Sequence, residues 1–398
     1  DLAGRLPGVH TVVLGARYQA WRDAQPPEDP GAQPGADDVA YQLYSSGTTG
    51  RPKGVQLTQA NLSSGLSLYP ALIDLGASAV SLVAMPLYHI GGAGWLLAGL
   101  SVGATNVLVG DIVPADLVAL IERRRVTHAF LVPAVLQFML GVPGVEERDF
   151  SALRVFLYGA SPISERVLAR AIRTFGCQFV QVYGLTESTG SVVVLPAADH
   201  DPDGPLRHRL RSVGKAVPGT EVRVVDPATG DDVVAGQVGE IWIRSPMVMK
   251  GYWHMPEASE AAIGPGGWLR SGDAGYFDPD GYLYIHDRIK DMIISGGENV
   301  YPAEVENVLM SHPAVADAAV IGVPDERWGE TPKAVVVKAP GAEVTVAELI
   351  EHCRRHLAGF KCPTSVDWVG QLPRNPSGKV LKKDLRAPYW EGRDRYVG

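Results

Sequence analysis

Between residues 39 and about 200, short runs rich in β-branched and aromatic residues alternate with segments of helical periodicity. Of all the features of the chain, this alternation most limits its fold, because strand–helix–strand units indicate crossover connections and a largely parallel sheet. The predicted strands span residues 39–44, 79–84, 106–109, 128–132, 154–157 and 178–182. The predicted helices span residues 114–124, 133–140 and 164–175, and two of them open with a proline in the first turn.

The pattern changes near residue 212. The stretches "TEVRVVDPATGDDV", "GEIWIRS" and "GYFDPDGYLYIHD" read as alternating strands joined by Asp/Pro/Gly turns, which is typical of an antiparallel or barrel-like region. After about residue 290, helices over 302–310 and 346–357 and strands over 316–323 and 333–337 predict a smaller α+β segment. The predicted fold class is therefore α/β, with parallel α/β subdomains, a barrel-like subdomain and a small C-terminal α+β domain.

Composition excludes several classes of protein. A chain of 398 residues predicts two or three domains, and its net charge of −8 argues against a nucleic-acid-binding protein, which is usually basic. Cys177, Cys353 and Cys362 are too few and too far apart for a disulfide framework or a CxxC metal site, so a reducing cytoplasm is the expected compartment. Residues 1–38 end in a Pro/Gly-rich stretch predicted to be a loop or linker. The first residue is Asp1 rather than methionine, which leaves open that the chain is part of a longer protein.

One apolar run is long enough to cross a membrane. Residues 90–109, "IGGAGWLLAGLSVGATNVLV", carry no charge. The run also contains five glycines, an asparagine and a turn-like break near Gly103. We therefore predict a buried helix followed by a buried strand, and no transmembrane segment.

The stretch "YSSGTTGRPKGVQ", residues 44–56, has the composition of a phosphate-binding loop. Backbone N–H groups of a glycine-rich turn form a concave anion site, and hydroxyl and lysine side chains add donors and charge. The relevant residues are Ser45, Ser46, Gly47, Thr48, Thr49, Gly50, Lys53 and Gly54. The spacing does not match the G-x-x-x-x-G-K-[ST] loop. From composition alone, a solvated surface turn remains the alternative.

Six blocks occur in one order along the chain: "YSSGTTGRPKG", "PLYHIGG", "VYGLTES", "GEIWIRSPMVMKGYW", "SGDAGYFDPDGYLYIHDRIKDMIISGGENVYPAEVE" and "PRNPSGKVLKKDLR". With these blocks the chain resembles the acyl-adenylate-forming superfamily, above all the fatty-acyl-CoA synthetases, over residues 40–386. The resemblance implies a large adenylate-forming domain over 1–288 and a small mobile lid domain over 289–398. We expect the opening segment of the family to be missing before Asp1.

The resemblance implies a two-step reaction. A carboxylic acid and ATP give acyl-AMP and pyrophosphate, and the thiol of coenzyme A then displaces AMP, with Mg²⁺ as the metal cofactor. Ser45 to Lys53 would hold the departing phosphates, Thr186 would bond the phosphate chain and Glu187 would hold Mg²⁺. The residues implied for adenine are Gly159, Ala160, Ser161, Tyr183 and Gly184. Without the resemblance, Tyr183 reads as a buried core residue and Glu187 as an exposed carboxylate.

Further residues are carried over from matching positions. Asp273 resembles the acid of the family that binds ribose, and Arg288 would add a second ribose contact. Lys379, in "NPSGK", resembles the catalytic lysine that bridges the carboxylate and the α-phosphate. His89, in "PLYHIGG", would border the path of the carboxylate and thiol. Without the resemblance, Asp273 and Arg288 would be interpreted as a surface ion pair, Lys379 as a solvated lysine and His89 as a core histidine.

The family alternates between two arrangements of its small domain. Lys290 matches the hinge position about which the domain rotates after adenylation. Gly296 and Gly297, in "SGGEN", would then leave room for the pantetheine arm of coenzyme A. We therefore expect a domain movement that serves two successive chemistries.

Several alternatives stay open. "PLYHIGG" lacks the aspartate that amino-acid-activating domains usually carry there, which favours a free-standing ligase for an uncharged acyl chain. The sequence does not identify the acyl group. It also leaves open three alternatives to a coenzyme A ligase: luciferase-like oxidation, transfer to a carrier protein instead of coenzyme A, and a non-catalytic nucleotide-binding module. Glycine and alanine at residues 91–94 hint at an open tunnel floor for a medium or long chain. The sequence also leaves open whether the chain forms a homodimer.

Overall fold

The computed structural model describes residue 12 and residues 14–45, 52–375 and 378–392. Two compact units are present, residues 1–38 and residues 39–398. In the described part of the first unit, one helix (α1, Ala16–Asp23) has no buried residue, and the Pro/Gly-rich stretch after it forms neither helix nor strand, as predicted. The elements discussed below belong to the second unit.

The bounds of the elements are as follows. The strands are β1 Val39–Ser45, β2 Lys53–Thr58, β3 Val80–Val83, β4 Thr105–Leu108, β5 His128–Leu131, β6 Val155–Gly159, β7 Gln178–Tyr183, β8 Val193–Leu195, β9 Lys215–Ala216, β10 Glu221–Val225, β11 Gly239–Arg244, β12 Gly251–Tyr252, β13 Ile263–Gly264, β14 Trp268–Phe277, β15 Leu283–Arg288, β16 Ile293–Ser295, β17 Glu298–Val300, β18 Val315–Asp325, β19 Gly329–Lys338 and β20 Ser365–Trp368. The helices after α1 are α2 Gln59–Leu66, α3 Tyr69–Ile73, α4 Ile90–Ser101, α5 Pro114–Arg123, α6 Pro133–Leu140, α7 Glu165–Phe175, α8 Pro256–Ala262, α9 Pro302–Ser311, α10 Val346–Arg354 and α11 Lys382–Arg386.

The largest sheet has seven strands in the order β4-β3-β5-β6-β7-β8-β9. Its pairs from β4 to β7 are parallel, whereas β8 and β9 are added antiparallel. Helices α4 to α7 connect successive parallel strands, as parallel pairing requires. Leu82, Leu131, Leu157 and Val180 on the parallel strands are at most 2% exposed, so both faces of this sheet are covered. The predicted parallel sheet is confirmed.

Helix α7 shows how the sequence sets one of these crossovers. The Ser164 hydroxyl accepts a hydrogen bond from the Val167 N–H and so caps the helix. Leu168, Ala171 and Phe175 recur at helical spacing and are buried against the sheet. Gly176, with φ of 60°, takes the left-handed conformation that ends the helix. The connection between β6 and the start of α7 is therefore left exposed at the carboxyl edge of the sheet.

The uncharged run over residues 90–109 folds as predicted into a helix, α4, and a strand, β4. The expectation that the strand is buried is wrong, because β4 is an edge strand of its sheet: only Val107 is buried, and Leu108 is 60% exposed. No described helix is both long and apolar enough to cross a membrane. Gly91 and Gly92 are tightly packed: a Cβ on Gly91 would lie 2.8 Å from the Phe130 ring, and one on Gly92 would meet the carbonyl oxygens of Met85 and Pro86. Their small size therefore lets helix α4 approach its surroundings and is no sign of an open tunnel floor.

Antiparallel sheets make up the remainder of the large part. Strands β10-β11-β14-β13 form a sheet in which β15 also pairs with β14. The sequence pattern after residue 212 predicted such an antiparallel region. Strand β1 pairs antiparallel with β2 and belongs to a separate three-stranded sheet with β12. The expectation that β1 joins the parallel sheet is therefore wrong, because β2 begins at Lys53 and returns at once alongside β1.

The C-terminal part has its own core. Strands β17-β16-β19-β18, with β20 parallel to β19, form a sheet covered by α9 and α10. Its buried cluster runs from Ile293 to Cys362, whereas the main cluster of the large part ends at Leu283. Residues 39–398 nevertheless form one compact unit, so the predicted domain boundary between residues 288 and 289 stays a prediction.

Two glycines of α4 offer a matched test of this packing. We expect Gly92→Ala to destabilise the protein by about 1–3 kcal/mol, because its Cβ would overpack against backbone that cannot rotate away. Gly94→Ala should stabilise by about 0.5–1 kcal/mol, because alanine favours a helix and the nearest atom is Ile90 Cδ1 at 3.8 Å. Thermal unfolding of both variants measures the difference, and equal melting temperatures would contradict the packing described for Gly92.

Candidate functional site

The carboxyl ends of β6 and β7 lie side by side, with Gly159 opposite Val182. Ligands of open α/β sheets bind at this edge of the strands. Gly159, Ala160 and Ser161 lie at the end of β6, and Tyr183 and Gly184 lie at the end of β7. The structure therefore brings the five residues predicted for the base pocket to one edge of the sheet.

Two of these positions require glycine because backbone approaches them closely, and a third has a strained backbone conformation. A Cβ on Gly159 would meet the Val182 carbonyl oxygen, and one on Gly184 would meet the Gly190 carbonyl oxygen. Ala160 has φ of 65°, a left-handed conformation that costs a non-glycine residue about 1–2 kcal/mol. Such outliers concentrate at functional sites, and Ala160 is exposed at the sheet edge where a ligand would lie.

Asp273 connects the parallel sheet to the antiparallel one. Its Oδ2 accepts a hydrogen bond from the Tyr183 hydroxyl at 2.8 Å, and its Oδ1 lies 3.0 Å from Arg288 Nε. The Asp273 side chain is 7% exposed and that of Arg288 is 32% exposed. Burial and the Asp273 charge raise the pKa of Tyr183, and the same charge raises the pKa of Arg288. The predicted ribose pair therefore exists as a largely buried ion pair joined to the predicted adenine residue.

A second cluster surrounds Glu187. Thr186 and Glu187 lie in a 3₁₀ turn, Thr186–Ser188, directly after β7. Glu187 Oε1 accepts hydrogen bonds from Ser45 Oγ at 3.1 Å and from the Tyr252 hydroxyl at 3.0 Å. Lys53 Nζ lies 4.8 Å from the centroid of the Tyr252 ring, and burial and the Glu187 charge raise the pKa of Tyr252. One flank of the predicted phosphate loop therefore contacts Glu187 directly through Ser45, and the other flank contacts Tyr252, which itself donates to Glu187.

The predicted loop residues between those flanks, Ser46, Gly47, Thr48, Thr49 and Gly50, lie outside the described residues. Tyr252 was missed by the sequence analysis. It lies within the quoted block "GEIWIRSPMVMKGYW", but a tyrosine next to glycine carries no chemical signal until its partner is known.

The residues around Glu187 are compatible with Mg²⁺. Among the described residues there is no cluster of three or more His, Cys, Asp or Glu side chains able to hold a metal ion. Mg²⁺ is usually bound by one or two carboxylates together with water and substrate phosphate oxygens, so it does not require such a cluster. A single carboxylate with two hydroxyl neighbours therefore fits a metal ion that arrives with a phosphate ligand.

Lys379 reaches the Asp273–Arg288 pair from the C-terminal part of the chain. Burial and the Arg288 cation lower the pKa of Lys379 to about 8, with Lys290 adding to the effect and the Asp273 carboxylate opposing it. The side chain still contacts solvent at the mouth of the cleft, and hydration limits the shift. The predicted catalytic lysine and the predicted ribose acid thus belong to one electrostatic cluster.

The C-terminal part is docked onto the large part near α6. Gln137 Nε2 donates to the Ala316 carbonyl at 2.9 Å, and Arg166 Nη2 lies 3.4 Å from the Val315 carbonyl. A Cβ on Gly378 would lie 3.1 Å from Val132 Cγ2. These contacts hold the loop that carries Lys379 over the carboxyl edge of the parallel sheet.

His89 caps the N-terminus of α4. Its Nδ1 accepts the Gly91 N–H at 3.1 Å. Burial and the nearby Lys379 cation lower the pKa of His89, so the imidazole is neutral at pH 7 with its proton on Nε2. His89 is therefore both a helix cap and a neighbour of Lys379, which combines the predicted functional reading with the plainer structural one.

Lys290 lies in a 3₁₀ turn, Ile289–Asp291, between β15 and β16. Burial and the Arg288 charge lower its pKa. Three ion pairs lie near this turn. Lys382 Nζ lies 3.3 Å from Asp287 and 2.9 Å from Glu306, and Arg386 lies 2.9 Å from Asp291. The carboxylates of Asp287 and Glu306 raise the pKa of Lys382, although burial alone would lower that pKa.

Gly296 and Gly297 form the exposed turn between β16 and β17, with φ of 61° and 86°. Two successive positive φ values are those of a tight hairpin turn that favours Gly-Gly. The Gly296 N–H donates to the Trp328 carbonyl at 2.8 Å, so this turn is attached to its own sheet. The described contacts therefore do not join the predicted coenzyme A glycines to the Asp273 cluster, and their role stays a prediction.

Comparison with known families gives two matches along the chain. The model of the family "AMP-binding enzyme" matches residues 7–253. The model "AMP-binding enzyme C-terminal domain" matches residues 304–379. The first covers more than half of the chain, and the second ends at Lys379.

Individual relatives and structures agree with these matches. A fatty acid–[acyl-carrier-protein] ligase from Streptomyces coeruleorubidus is 41% identical, over 97% of this chain and 74% of its own length. A feruloyl-CoA synthase from an Amycolatopsis species is 43% identical, over 97% of this chain and 76% of its own length. The crystal structure of ATP-bound MatB from Rhodopseudomonas palustris superposes with a TM-score of 0.82 at 35% identity, covering 89% of this chain and 69% of that one.

The Asp273–Arg288 pair gives a testable stability prediction. Asp273→Ala leaves Arg288 without its carboxylate, and we expect a loss of about 2–3 kcal/mol, below the ~3–5 kcal/mol of a fully buried pair because Arg288 keeps some solvent contact. Thermal unfolding measures it. Asp280→Ala is the control, because Asp280 is 64% exposed and lies 3.7 Å from Arg209, so its melting temperature should not change. Equal effects of the two substitutions would contradict the buried pairing.

Proposed function

Because the chain belongs to the AMP-binding enzyme family, we propose that it is an ATP-dependent acid–thiol ligase. A carboxylate oxygen attacks the α-phosphorus of ATP, and the bond to the pyrophosphate oxygen breaks. The sulfur of a thiol then attacks the acyl carbon, the carbon–oxygen bond to AMP breaks and the thioester forms. AMP leaves with the electron pair of that bond.

The single observation that carries this proposal is that the C-terminal part, held to α6 through Gln137, brings the Lys379 charge close enough to Asp273 and Arg288 to interact with both. The first step brings a carboxylate onto a polyanion, and two like unit charges about 4 Å apart repel by about 4 kcal/mol at an effective dielectric of 20. A cation between the two anions offsets this repulsion and holds them in line. Lys379, from one part of the chain, is available to bridge reactants bound by the other.

The other clusters supply the remaining contacts of this proposal. Asp273 accepts hydrogen bonds from the ribose hydroxyls, and Arg288 fixes its orientation while adding positive charge. Tyr183, whose hydroxyl is held by Asp273, keeps its ring at the strand end where adenine would stack. Thr186 donates to the phosphate chain, and Ser45 and Lys53 lie at the flanks of the loop that holds the departing phosphates.

Glu187 is the residue proposed to hold Mg²⁺. When bound, the ion would neutralise charge on the phosphates as pyrophosphate departs. Ser45 and Tyr252 both donate to Glu187 Oε1 and so orient the carboxylate. His89, neutral and next to Lys379, borders the proposed path of the acid and of the thiol.

The second step requires a different arrangement of the C-terminal part. The charge of Lys379 interacts with those of Asp273 and Arg288 in this arrangement, whereas Gly296 and Gly297 lie on a hairpin attached to Trp328. We infer that the described arrangement corresponds to adenylation and that rotation about Lys290 exchanges the two loops.

Relatives support more than one acceptor and more than one acid. One acts on a fatty acid and an acyl-carrier protein, and another forms feruloyl-CoA. We propose an uncharged acyl chain, a fatty acid in the first instance, because "PLYHIGG" offers no acidic side chain to pair with an amine. Coenzyme A is the proposed acceptor, with a carrier protein as the alternative.

The proposal predicts acid-dependent exchange of pyrophosphate into ATP. A panel from acetate through long fatty acids to aryl acids should give exchange that peaks at one acid class, because one pocket selects the acyl group. Consumption of free coenzyme A with that acid, measured against carrier protein, then distinguishes the two acceptors. ATP binding without exchange for any acid would contradict the ligase and favour a nucleotide-binding module.

Lys379 should be needed for one half-reaction alone. Lys379→Ala should lower acid-dependent exchange by about 10²-fold or more while sparing thioester formation from supplied acyl-AMP. Lys383→Ala, on the exposed face of α11, is the matched control and should leave both half-reactions unchanged. Equal loss of both half-reactions in Lys379→Ala would contradict the assigned role.

The pKa of Lys379 adds a test in pH. Because the cation is the active form and its pKa is about 8, kcat/KM for ATP in the exchange reaction should fall as the pH rises through about 8. Lys379→Arg keeps its charge at every pH in this range, so its remaining activity should not show that fall. A fall of the same size and midpoint in both proteins would assign the ionisation to another group.

A further inference from the structure

The loop that carries Lys379 is closed on itself by backbone hydrogen bonds. Arg374 and Val380 form an antiparallel bridge, and the Asn375 N–H donates to the Lys379 carbonyl at 2.9 Å. The Asn375 side chain accepts the Lys379 N–H, also at 2.9 Å. These bonds shape the loop, but they do not fix its position on the protein.

Arg374 supplies the external attachment. Its Nη1 donates to the Gly378 carbonyl at 2.6 Å and its Nη2 donates to Asp317 Oδ2 at 2.7 Å. Both side chains are about three-quarters buried, at 24% and 25% exposed. Two arms of one planar guanidinium therefore join the residue immediately before Lys379 to strand β18, and a fork of this kind fixes direction as well as distance.

The attachment point on β18 is itself tied to the large part. The register of β18 shifts between Val315 and Asp317, which leaves Ala316 in an irregular position where its carbonyl accepts from Gln137. Asp317 Oδ1 also accepts the Ala318 N–H at 3.0 Å, which orients the carboxylate. Gln137 lies on α6, and its bond to Ala316 therefore fixes the neighbouring Asp317 relative to that helix.

The other end of α6 contacts the loop directly. A Cβ on Gly378 would lie 3.1 Å from Val132 Cγ2 and 3.8 Å from Ala134 Cβ, at the N-terminus of α6. Gly378, with φ of 81°, has the left-handed conformation that glycine adopts freely. Helix α6 thus lies against Gly378 at its N-terminus and, through Gln137, bonds Ala316, the neighbour in sequence of the Asp317 that Arg374 contacts.

We propose that Arg374 is a positioning residue for adenylation, which acts by holding Gly378, and through it Lys379, between Asp317 and the N-terminus of α6. This inference rests on the proposed function and goes beyond it by assigning an arginine that touches neither the acid nor the nucleotide. Without the fork, the Lys379 loop loses its fixed position, and its internal hydrogen bonds open more often because nothing outside the loop supports them. A displacement of about 1 Å of a catalytic group costs on the order of 10²-fold in rate.

The variants separate positioning from folding. Arg374→Ala should lower acid-dependent exchange by ~10²-fold and leave thioester formation from supplied acyl-AMP within about twofold, since that step does not use Lys379. Arg374→Lys, with one ammonium in place of a fork, should recover part of the exchange rate. The double variant Asp317→Ala with Arg374→Ala should lower the exchange rate no further than the stronger of the two single variants, because both substitutions remove the same connection. Arg354→Ala is the control, since Arg354 lies on α10 with its side chain 63% exposed.

Amide hydrogen exchange gives a readout that does not depend on activity. In Arg374→Ala, amides over residues 374–381 should exchange at least about tenfold faster, with those of α10 unchanged. Unchanged amide exchange over 374–381, or equal loss of both half-reactions, would overturn the proposal. If the wild-type protein exchanges no pyrophosphate with any acid, the proposed function fails by itself, and the amide measurement still decides whether Arg374 holds the loop.

Discussion

The buried carboxylate of Asp273 is the contact on which the candidate site depends. It accepts from Tyr183 at the end of the parallel sheet, lies 3.0 Å from Arg288 on β15, and contributes to the field around Lys379. A 7% exposed carboxylate is stable only when its charge is compensated, so the segments that supply its partners are constrained to meet. One acidic residue thus joins the parallel sheet, the antiparallel sheet and the C-terminal part at a single place.

The charges gathered there also explain why the cluster suits an anionic ligand. Arg288, Lys290 and Lys379 lie near Asp273 and Asp291, and the pKa of each lysine is lowered by burial and by the Arg288 cation. Cations held close together bind an added anion strongly, because the anion relieves their mutual repulsion. The arrangement therefore fits the phosphate groups of the proposed nucleotide.

Much of this was predictable from local signals and part of it was not. Periodicity and proline placed the crossover helices, since α5 to α7 need only local sequence to start and stop. The antiparallel partnership of β1 with β2 was missed, because the second strand is contained in a stretch whose glycines and lysine suggested a loop. Tyr252 and Arg374 were also missed. Their roles depend on Glu187 and Asp317, which are distant in sequence, and only the tertiary fold makes those pairs visible. Gly91 and Gly92 suggested open space, but a Cβ at Gly91 would meet the Phe130 ring and one at Gly92 would meet the backbone of Met85 and Pro86.

Lys382 connects residues on the two sides of the Ile289–Asp291 turn. Asp287 precedes the turn, whereas Glu306 and Lys382 follow it, and Arg386 and Asp291 form a pair on the far side. Any rotation about Lys290 therefore preserves Lys382–Glu306 and separates Lys382 from Asp287. The resting orientation of the C-terminal part has an electrostatic preference, and leaving it requires that water or another donor take over a carboxylate whose side chain is 9% exposed. The balance between the two orientations should consequently respond to substitutions at Asp287.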